Sequence, residues 1–369
     1  MLITKDCTGC GACFAVCPKS CIEMMQDKLG EWKPVINQGE CINCGLCKKT
    51  CPQENPLNAK VPEKCYVAWS GSEDDLKKSS SGGFAAVVYK YALSHGIHAY
   101  GCDYQADLVL RHFQIQSEAD IEKCRSSKYS QSITYPLYKK IKEQLIKNEN
   151  VIYIGTPCQV AGLLSFLKKS YPNLITIDLV CHGTPPNKYL EEYIRRIGKN
   201  RFQIAKVRFR GEYDQMLALW DENSEVQYLK GQTEDLYFKA FYRNMISMAS
   251  CYYCHYAKKE RISDITIGDF WGLGDLREIT PLSARPSLVL TNTDKGLMLF
   301  NSVKNMLTYE EREVAEGIRG NGRLNRYPGK NGRAKLFEKF YPMIGFNKSV
   351  IASNIGYSIM HNLRKVINK

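Results

Sequence analysis

Residues 7–18 read CTGCGACFAVCP and residues 41–52 read CINCGLCKKTCP. Both follow C-x2-C-x2-C-x3-C-P, so the second run repeats the first at every cysteine. Thiolates at this spacing hold cubane iron–sulfur clusters: three close ligands wrap three corners, and the fourth, before the proline, points away to the other cluster. This assigns Cys7, Cys10, Cys13 and Cys51 to one 4Fe-4S cluster and Cys41, Cys44, Cys47 and Cys17 to a second. Zinc needs four ligands per site and has no use for this pattern. Between the runs, apolar stretches flank the polar turn Asp27–Gly30, which predicts a hairpin.

A second cysteine constellation lies in the middle of the chain. VIYI reads as a buried strand, followed by Thr156 at a helix N-cap, Pro157 at its first position, and the helix CQVAGLLSFLKK. LITIDLVC is a second buried strand. The unit is βαβ, so its strands are parallel. Cys158 and Cys181 then lie at the C-terminal ends of two strands about 5 Å apart if neighbours, on the edge where open α/β sheets bind ligands. The first helical turn favours the Cys158 thiolate. Further on stands CYYC, with no nearby CxxC to complete it. Cys251 and Cys254 with Cys158 and Cys181 make four thiolates, enough for a third cubane. The alternative is a zinc site at CYYC with Cys158 and Cys181 as structural thiols. Cys21, Cys65, Cys102 and Cys124 have no evident partner.

These elements imply an α/β fold behind a small iron–sulfur domain. The 369 residues suffice for two or three domains. The boundaries are 1–56 for the cluster domain, 57–64 for a linker (from the proline-rich, polar stretch 53–64), 65–145 and 146–310 for two α/β regions, and 311–369 for a basic tail with a C-terminal helix. No apolar run could span a bilayer and no apolar signal stretch precedes Cys7, which predicts a cytoplasmic protein. There disulfides are not expected among the 16 cysteines, and cluster ligation is the better reading for those with partners. The formal charge of +13 counts thiols as neutral; three cubanes of about −2 each would leave roughly +7. Arg319–Lys339 holds seven basic residues and one acidic. That stretch is a solvated surface, or a dock for an acidic partner or anionic substrate. No basic–aromatic or finger pattern points to nucleic acid.

SSSGGF, SKYSQS, IGTPCQVAGL, DLVCHGTPP, VRFRG, SCYYC, SDITIGDFWG and LTNTDKG run in order over roughly 65–300. In these stretches the chain resembles the coenzyme F420 hydrogenase/dehydrogenase beta-subunit family, joined to an N-terminal ferredoxin of bacterial type with two 4Fe-4S clusters. The resemblance implies an α/β flavoprotein domain, FAD, and an iron–sulfur flavoprotein oxidoreductase. It would pass electrons between a hydride carrier (the deazaflavin coenzyme F420 or another two-electron donor), the flavin and the clusters, the third included. A redox partner protein or small-molecule donor or acceptor follows from that. The alternative is an electron-transfer module or accessory reductase serving cell-surface polysaccharide biosynthesis, without turnover of its own.

Within that reading, Ser80, Ser81, Gly82 and Gly83 precede a helix whose free amides suit a cofactor phosphate, although their spacing alone favours a plain cap. Lys128 and Tyr129 are candidates for the flavin or substrate pocket, Lys128 with a catalytic role; a solvated loop is the other reading. Asp269 and Trp271 are cofactor candidates, with core packing the alternative for the tryptophan. His182 is an acid–base candidate, or a histidine ordered by Asp178 or a carbonyl. In the last segment Ile351, Ile355, Ile359 and Leu363 share a helical face. Packing on the core is the expectation, and peripheral membrane contact the alternative.

Overall fold

The structure, a computed structural model, describes residue 4 and residues 6–197, 204–210, 215–273 and 285–367, those from 361 on by backbone alone. Each cysteine run winds into a short helix, α1 (Ala12–Val16) and α2 (Leu46–Thr50), entered through a left-handed glycine, Gly11 at φ 70° and Gly45 at φ 71°. The expected hairpin is β1 (Ile22–Gln26) and β2 (Trp32–Ile36), paired antiparallel from Ile22↔Ile36 to Gln26↔Trp32. Asp27 closes its turn by accepting the amides of Leu29 and Glu31 at 2.9 and 3.0 Å.

The rest of the chain is built on one large sheet. Its strands are β3 (Lys64–Ser70), β4 (His98–Tyr104), β5 (Leu110–Ile115), β6 (Val151–Gly155) and β7 (Leu174–Leu179). After a three-stranded antiparallel sheet of β8 (Lys206–Arg208), β9 (Met216–Trp220) and β10 (Val226–Gly231) come β11 (Ile265–Asp269), β12 (Ser287–Thr291) and β13 (Leu307–Arg312). The large sheet has the order β13-β3-β12-β11-β7-β6-β4-β5. Its four central strands β11, β7, β6 and β4 are parallel, and antiparallel strands close both sides. The helices are α3 (Glu73–Lys78), α4 (Phe84–Ser94), α5 (Glu118–Cys124), α6 (Tyr138–Ile146), α7 (Pro157–Leu167), α8 (Asn187–Arg196), α9 (Leu236–Tyr242), α10 (Asp294–Val303), α11 (Val314–Gly320) and α12 (Gly332–Ile367). None of the described helices is long and apolar enough to cross a membrane.

Strand alternation sends the side chains of β6 to two cores. Ile152 and Ile154 join Phe84, Val88 and Phe300 under α4 and α10. Val151 and Tyr153 join Tyr138, Leu163 and Phe166 under α6 and α7. Both faces of these central strands are covered, which explains their unbroken apolar runs. A third, aromatic core (Tyr189, Tyr193, Phe209, Tyr237, Phe337, Phe346) joins α8, α9 and α12 to the small sheet; no sequence motif had announced it.

The segment α12 is two arms broken at Gly345, which has φ 69°. The arms fold back on each other: the Arg333 guanidinium lies 4.0 Å from the centre of the Tyr357 ring. Phe346, Ser349, Val350 and Ser353 face inward and are buried, whereas Ile351, Ile355 and Ile359 are 50%, 57% and 55% exposed. The expectation that the isoleucine face packs on the core is corrected: the aromatic core is filled by Phe346 and Val350, and small serines give the close approach.

The cluster domain docks on α7. A side chain at Gly162 would stand 2.7 Å from Cys10 Cβ. The Tyr138 hydroxyl donates to the Cys10 carbonyl at 3.0 Å, Gln131 to the Thr8 carbonyl at 3.0 Å, and the Ala249 amide to buried Glu31 at 2.7 Å. Within 57–64, Lys60 exchanges two backbone hydrogen bonds with Arg261, at 2.8 and 2.7 Å.

Two predictions follow from this packing. Gly162→Val should force the cluster domain off α7 at a cost of about 1–3 kcal/mol, read as a lower urea midpoint; an unchanged midpoint contradicts the docking. His112 is buried, its Nε2 donating to the Ile154 carbonyl at 2.9 Å and its Nδ1 accepting from Ser132 at 3.0 Å. Burial lowers its pKa from 6.5 to about 4. The unfolded chain therefore takes up the proton first, and stability should fall as pH drops from about 6.5 towards 4, by up to about 1.4 kcal/mol per pH unit. His112→Asn should flatten that slope in urea titrations at different pH.

Candidate functional site: two cavities beside the cluster domain

In the cluster domain, Cys7, Cys10, Cys13 and Cys51 come together closely enough that a charged thiolate at Cys51 would raise the pKa of Cys7, Cys10 and Cys13. Burial is the larger cause, pushing Cys10 up to about 12. The Gly9 amide points at Cys7 Sγ at 3.4 Å, and Lys33 holds the Cys7 carbonyl at 2.9 Å. Cys41, Cys44 and Cys47 form the second group. Cys17 lies beside Cys21, with 3.5 Å between the sulfurs, and Cys21 in turn feels Cys41. Cys21 is thus a fifth thiol at this set, which spacing alone could not reveal. Cys44 is exposed, while Cys10, Cys13 and Cys51 are buried. The Cys7 set is therefore the inner one and the Cys41 set the outer.

A small cavity is lined by Cys158, Cys181, Cys251 and Cys254. Cys158 is the second residue of α7, Cys181 follows β7, and Cys251 lies in the 3-10 turn Ala249–Tyr253, which Cys254 ends. Among the described residues, no three Cys, His, Asp or Glu side chains converge on one point as ligands of a single metal ion would; these four thiols surround a space instead. Burial raises the pKa of all four, with Cys181 at about 11. For Cys158 this corrects the expectation of a helix-favoured thiolate: desolvation outweighs the helix terminus and the Thr156 hydroxyl 3.2 Å away. Arg261 and Arg323 act in the opposite sense on Cys181 and Cys254, and the buried Arg323 Nε has no hydrogen-bond partner among the described residues. Four half-buried cysteines with desolvated thiols, beside two guanidinium groups, fit an anionic cubane.

The small cavity also touches the inner cluster set. Thr8 and Gln53 line it, and Gln53 donates to the Tyr256 hydroxyl at 3.4 Å. The Tyr256 phenol, its pKa raised by burial, senses Cys158 and Cys254 on one side and Cys10 and Cys51 on the other.

A larger cavity of about 470 Å³ lies on the other side. Ser80, Ser81, Gly83, Lys128, Tyr129, His182, Asp269 and Trp271 line it, so one space gathers candidates from four separate motifs. Gly82 does not line it, and its expected place at a phosphate is corrected. A Cβ there would stand 2.3 Å from the Ala68 carbonyl, and its own carbonyl accepts the Ser70 amide. Gly82 is needed for backbone contact with β3. Gly83, at φ 79°, is the N-cap of α4 with no side-chain cap, and it lines the cavity together with Phe84, Ala85 and Ala86.

The candidate side chains differ in what they can do. Lys128 is buried, its pKa lowered by desolvation, and its ammonium donates to the carbonyls of Lys123 and Arg125 at 2.7 and 2.6 Å. The solvated-loop reading fails for it: this lysine braces its own loop. Tyr129 stacks on Phe241 with 4.5 Å between ring centres. Trp271 is 45% exposed, against the core-packing alternative. Desolvation of its ring and then Arg323 hold His182 below its ordinary pKa, although the residue as a whole is exposed. Asp178 does not order it, because that carboxylate is buried against Arg261 at 2.8 Å.

Sequence reasoning passed over Arg210, quoted only inside VRFRG. It lines the larger cavity, pairs with Asp269 at 2.7 Å through Nη1, lies close enough to Tyr129 to interact with its hydroxyl, and among the described residues makes no well-formed hydrogen bond through its buried Nη2. Its neighbour Gly211 lies outside the described residues. The only signal for Arg210 was an arginine in a motif otherwise suited to a strand. Thr156, Cys181, His182, Gly183 and Thr184 line both cavities, so a wall one loop thick separates them.

Residues 148–316 match the family described as the C terminus of the coenzyme F420 hydrogenase/dehydrogenase beta subunit, and residues 6–55 match the 4Fe-4S dicluster domain. Among solved structures, the chain is similar to one from the xenon-derivatised F420-reducing NiFe hydrogenase complex of Methanosarcina barkeri. The identity is 18%, the TM-score 0.46, and the match covers 71% of this chain and 91% of that one. No curated protein matches. The chain thus carries a match to a 4Fe-4S dicluster domain over residues 6–55 and, behind it, a match to the C terminus of the coenzyme F420 hydrogenase/dehydrogenase beta subunit over residues 148–316.

Proposed function

We propose that this protein is a flavin-dependent iron–sulfur oxidoreductase, with FAD in the larger cavity, a third 4Fe-4S cluster in the small one, and two more in the cluster domain. The observation that carries this is the shared wall of Thr156, Cys181, His182, Gly183 and Thr184. A bound flavin exchanges two electrons with a hydride carrier and releases them singly to a cluster, which is why the two cofactors belong on either side of a thin partition.

The residues divide the work. Arg210, fixed by Asp269 and beside Tyr129, would turn its guanidinium as a donor to an anionic or carbonyl group of the ligand. The amides that begin α4 face the same cavity and suit a phosphate. Ser80 and Ser81 brace that turn, Ser80 accepting the Ser127 amide at 2.7 Å and Ser81 meeting Ser287 at 3.0 Å. Cys158, Cys181, Cys251 and Cys254 would hold the central cluster. Gln53 and Tyr256 fill the gap to the inner set of Cys7, Cys10, Cys13 and Cys51, and the outer set of Cys17, Cys41, Cys44 and Cys47 reaches the surface at Cys44. There a redox partner would exchange electrons.

Anaerobic purification with joint assay of flavin, iron and sulfide tests the whole reading. About twelve irons per chain with one flavin is the expected result; about eight irons, or no flavin after reconstitution with FAD, overturns it. Cys254→Ser should lower the count to about eight and leave flavin bound. Arg210→Met should weaken FAD binding by about tenfold to a hundredfold, the worth of a hydrogen bond to a charged donor. Fluorescence titration of the deflavinated protein measures it.

A further inference from the structure

The second arm of α12 shows its apolar stripe to water. Ile351, Ile355 and Ile359 follow at intervals of four and are 50%, 57% and 55% exposed, and Met360 is 42% exposed. The inward side of the same arm is already seated through Phe346 and Val350 in the aromatic core. The stripe is therefore surplus to folding. Lys348, also exposed, precedes Ile351 by one helical turn and falls in the same row. From Lys339 to Lys369 the chain has five basic residues and no acidic one, and Lys335 and Lys339 on the first arm are exposed.

We infer that this arm lies flat on an anionic lipid surface, its isoleucines in the headgroup–acyl boundary and its lysines against the phosphates. An apolar row with basic residues and no carboxylate is the composition of interfacial helices. A lysine in the row is tolerated there because its stem follows the apolar surface while the ammonium reaches the headgroups. A second copy of this chain fits worse: it would set Lys348 and its basic neighbours against like charges, with no carboxylate in the segment to pair them. The inference is independent of the proposed redox chemistry.

The test uses the full chain, purified anaerobically, and sedimentation with vesicles of equal parts phosphatidylglycerol and phosphatidylcholine. The protein should pellet with them, should pellet far less with pure phosphatidylcholine, and should be released by salt. Ile351→Glu with Ile355→Glu should lower partitioning by about tenfold or more. Ile351→Asn with Ile355→Asn should act in the same direction, which keeps the test valid if the glutamates disturb folding; circular dichroism checks both. No pelleting, equal pelleting with both vesicles, or full retention by the variants overturns the inference. So does a dimer in sedimentation velocity that the variants dissolve while vesicle binding is absent.

Discussion

Gly155 of β6 sits opposite Asp178 of β7 in a parallel ladder. Parallel strands end on the same side, so both chains leave the sheet together, one into α7 with Cys158 and the other into the loop with Cys181. That single register brings two thiols at either end of one crossover to the same edge. The large cavity, the small cavity and the wall between them all lie along this edge. A slip of one residue would turn the β7 side chains to the opposite face and separate the thiols.

Arg261 holds the other half of the arrangement. Its guanidinium pairs with Asp178 at 2.8 Å and donates to the carbonyls of Tyr256 and Lys258 at 2.9 and 3.2 Å. Its backbone pairs with Lys60. One buried cation therefore ties β7, the turn after Cys254 and the approach to β3. Removing one partner of such a pair leaves an uncompensated buried charge, so the position of the CYYC turn is set electrostatically as well as sterically.

Much of this was legible from periodicity and spacing. The hairpin and the βαβ unit follow from local patterns, and the two cysteine pairs could be matched by counting. The docking of the cluster domain was not legible, because its determinant is the absence of a side chain at Gly162, which in sequence is one glycine in a good helix. Arg210 was missed because its partner Asp269 is far away in the chain and its spare nitrogen is visible only in space. The α12 stripe was misread for a different reason. An i, i+4 pattern marks an amphipathic face but not which side meets protein, and here Ser349 and Ser353 take the inner side.

The bond between the Ala249 amide and Glu31 spans 218 residues. Chains emerge N-terminus first and fold in units, whereas contacts this remote form late because of their loop-closure entropy. The cysteine runs at 7–18 and 41–52 are thus complete long before α7, the 249–253 turn and Arg261 exist to cover them. During that interval the inner thiol set, buried in the finished protein, faces solvent. The order of synthesis itself opens a window for loading metal into a site where Cys10, Cys13 and Cys51 are later buried.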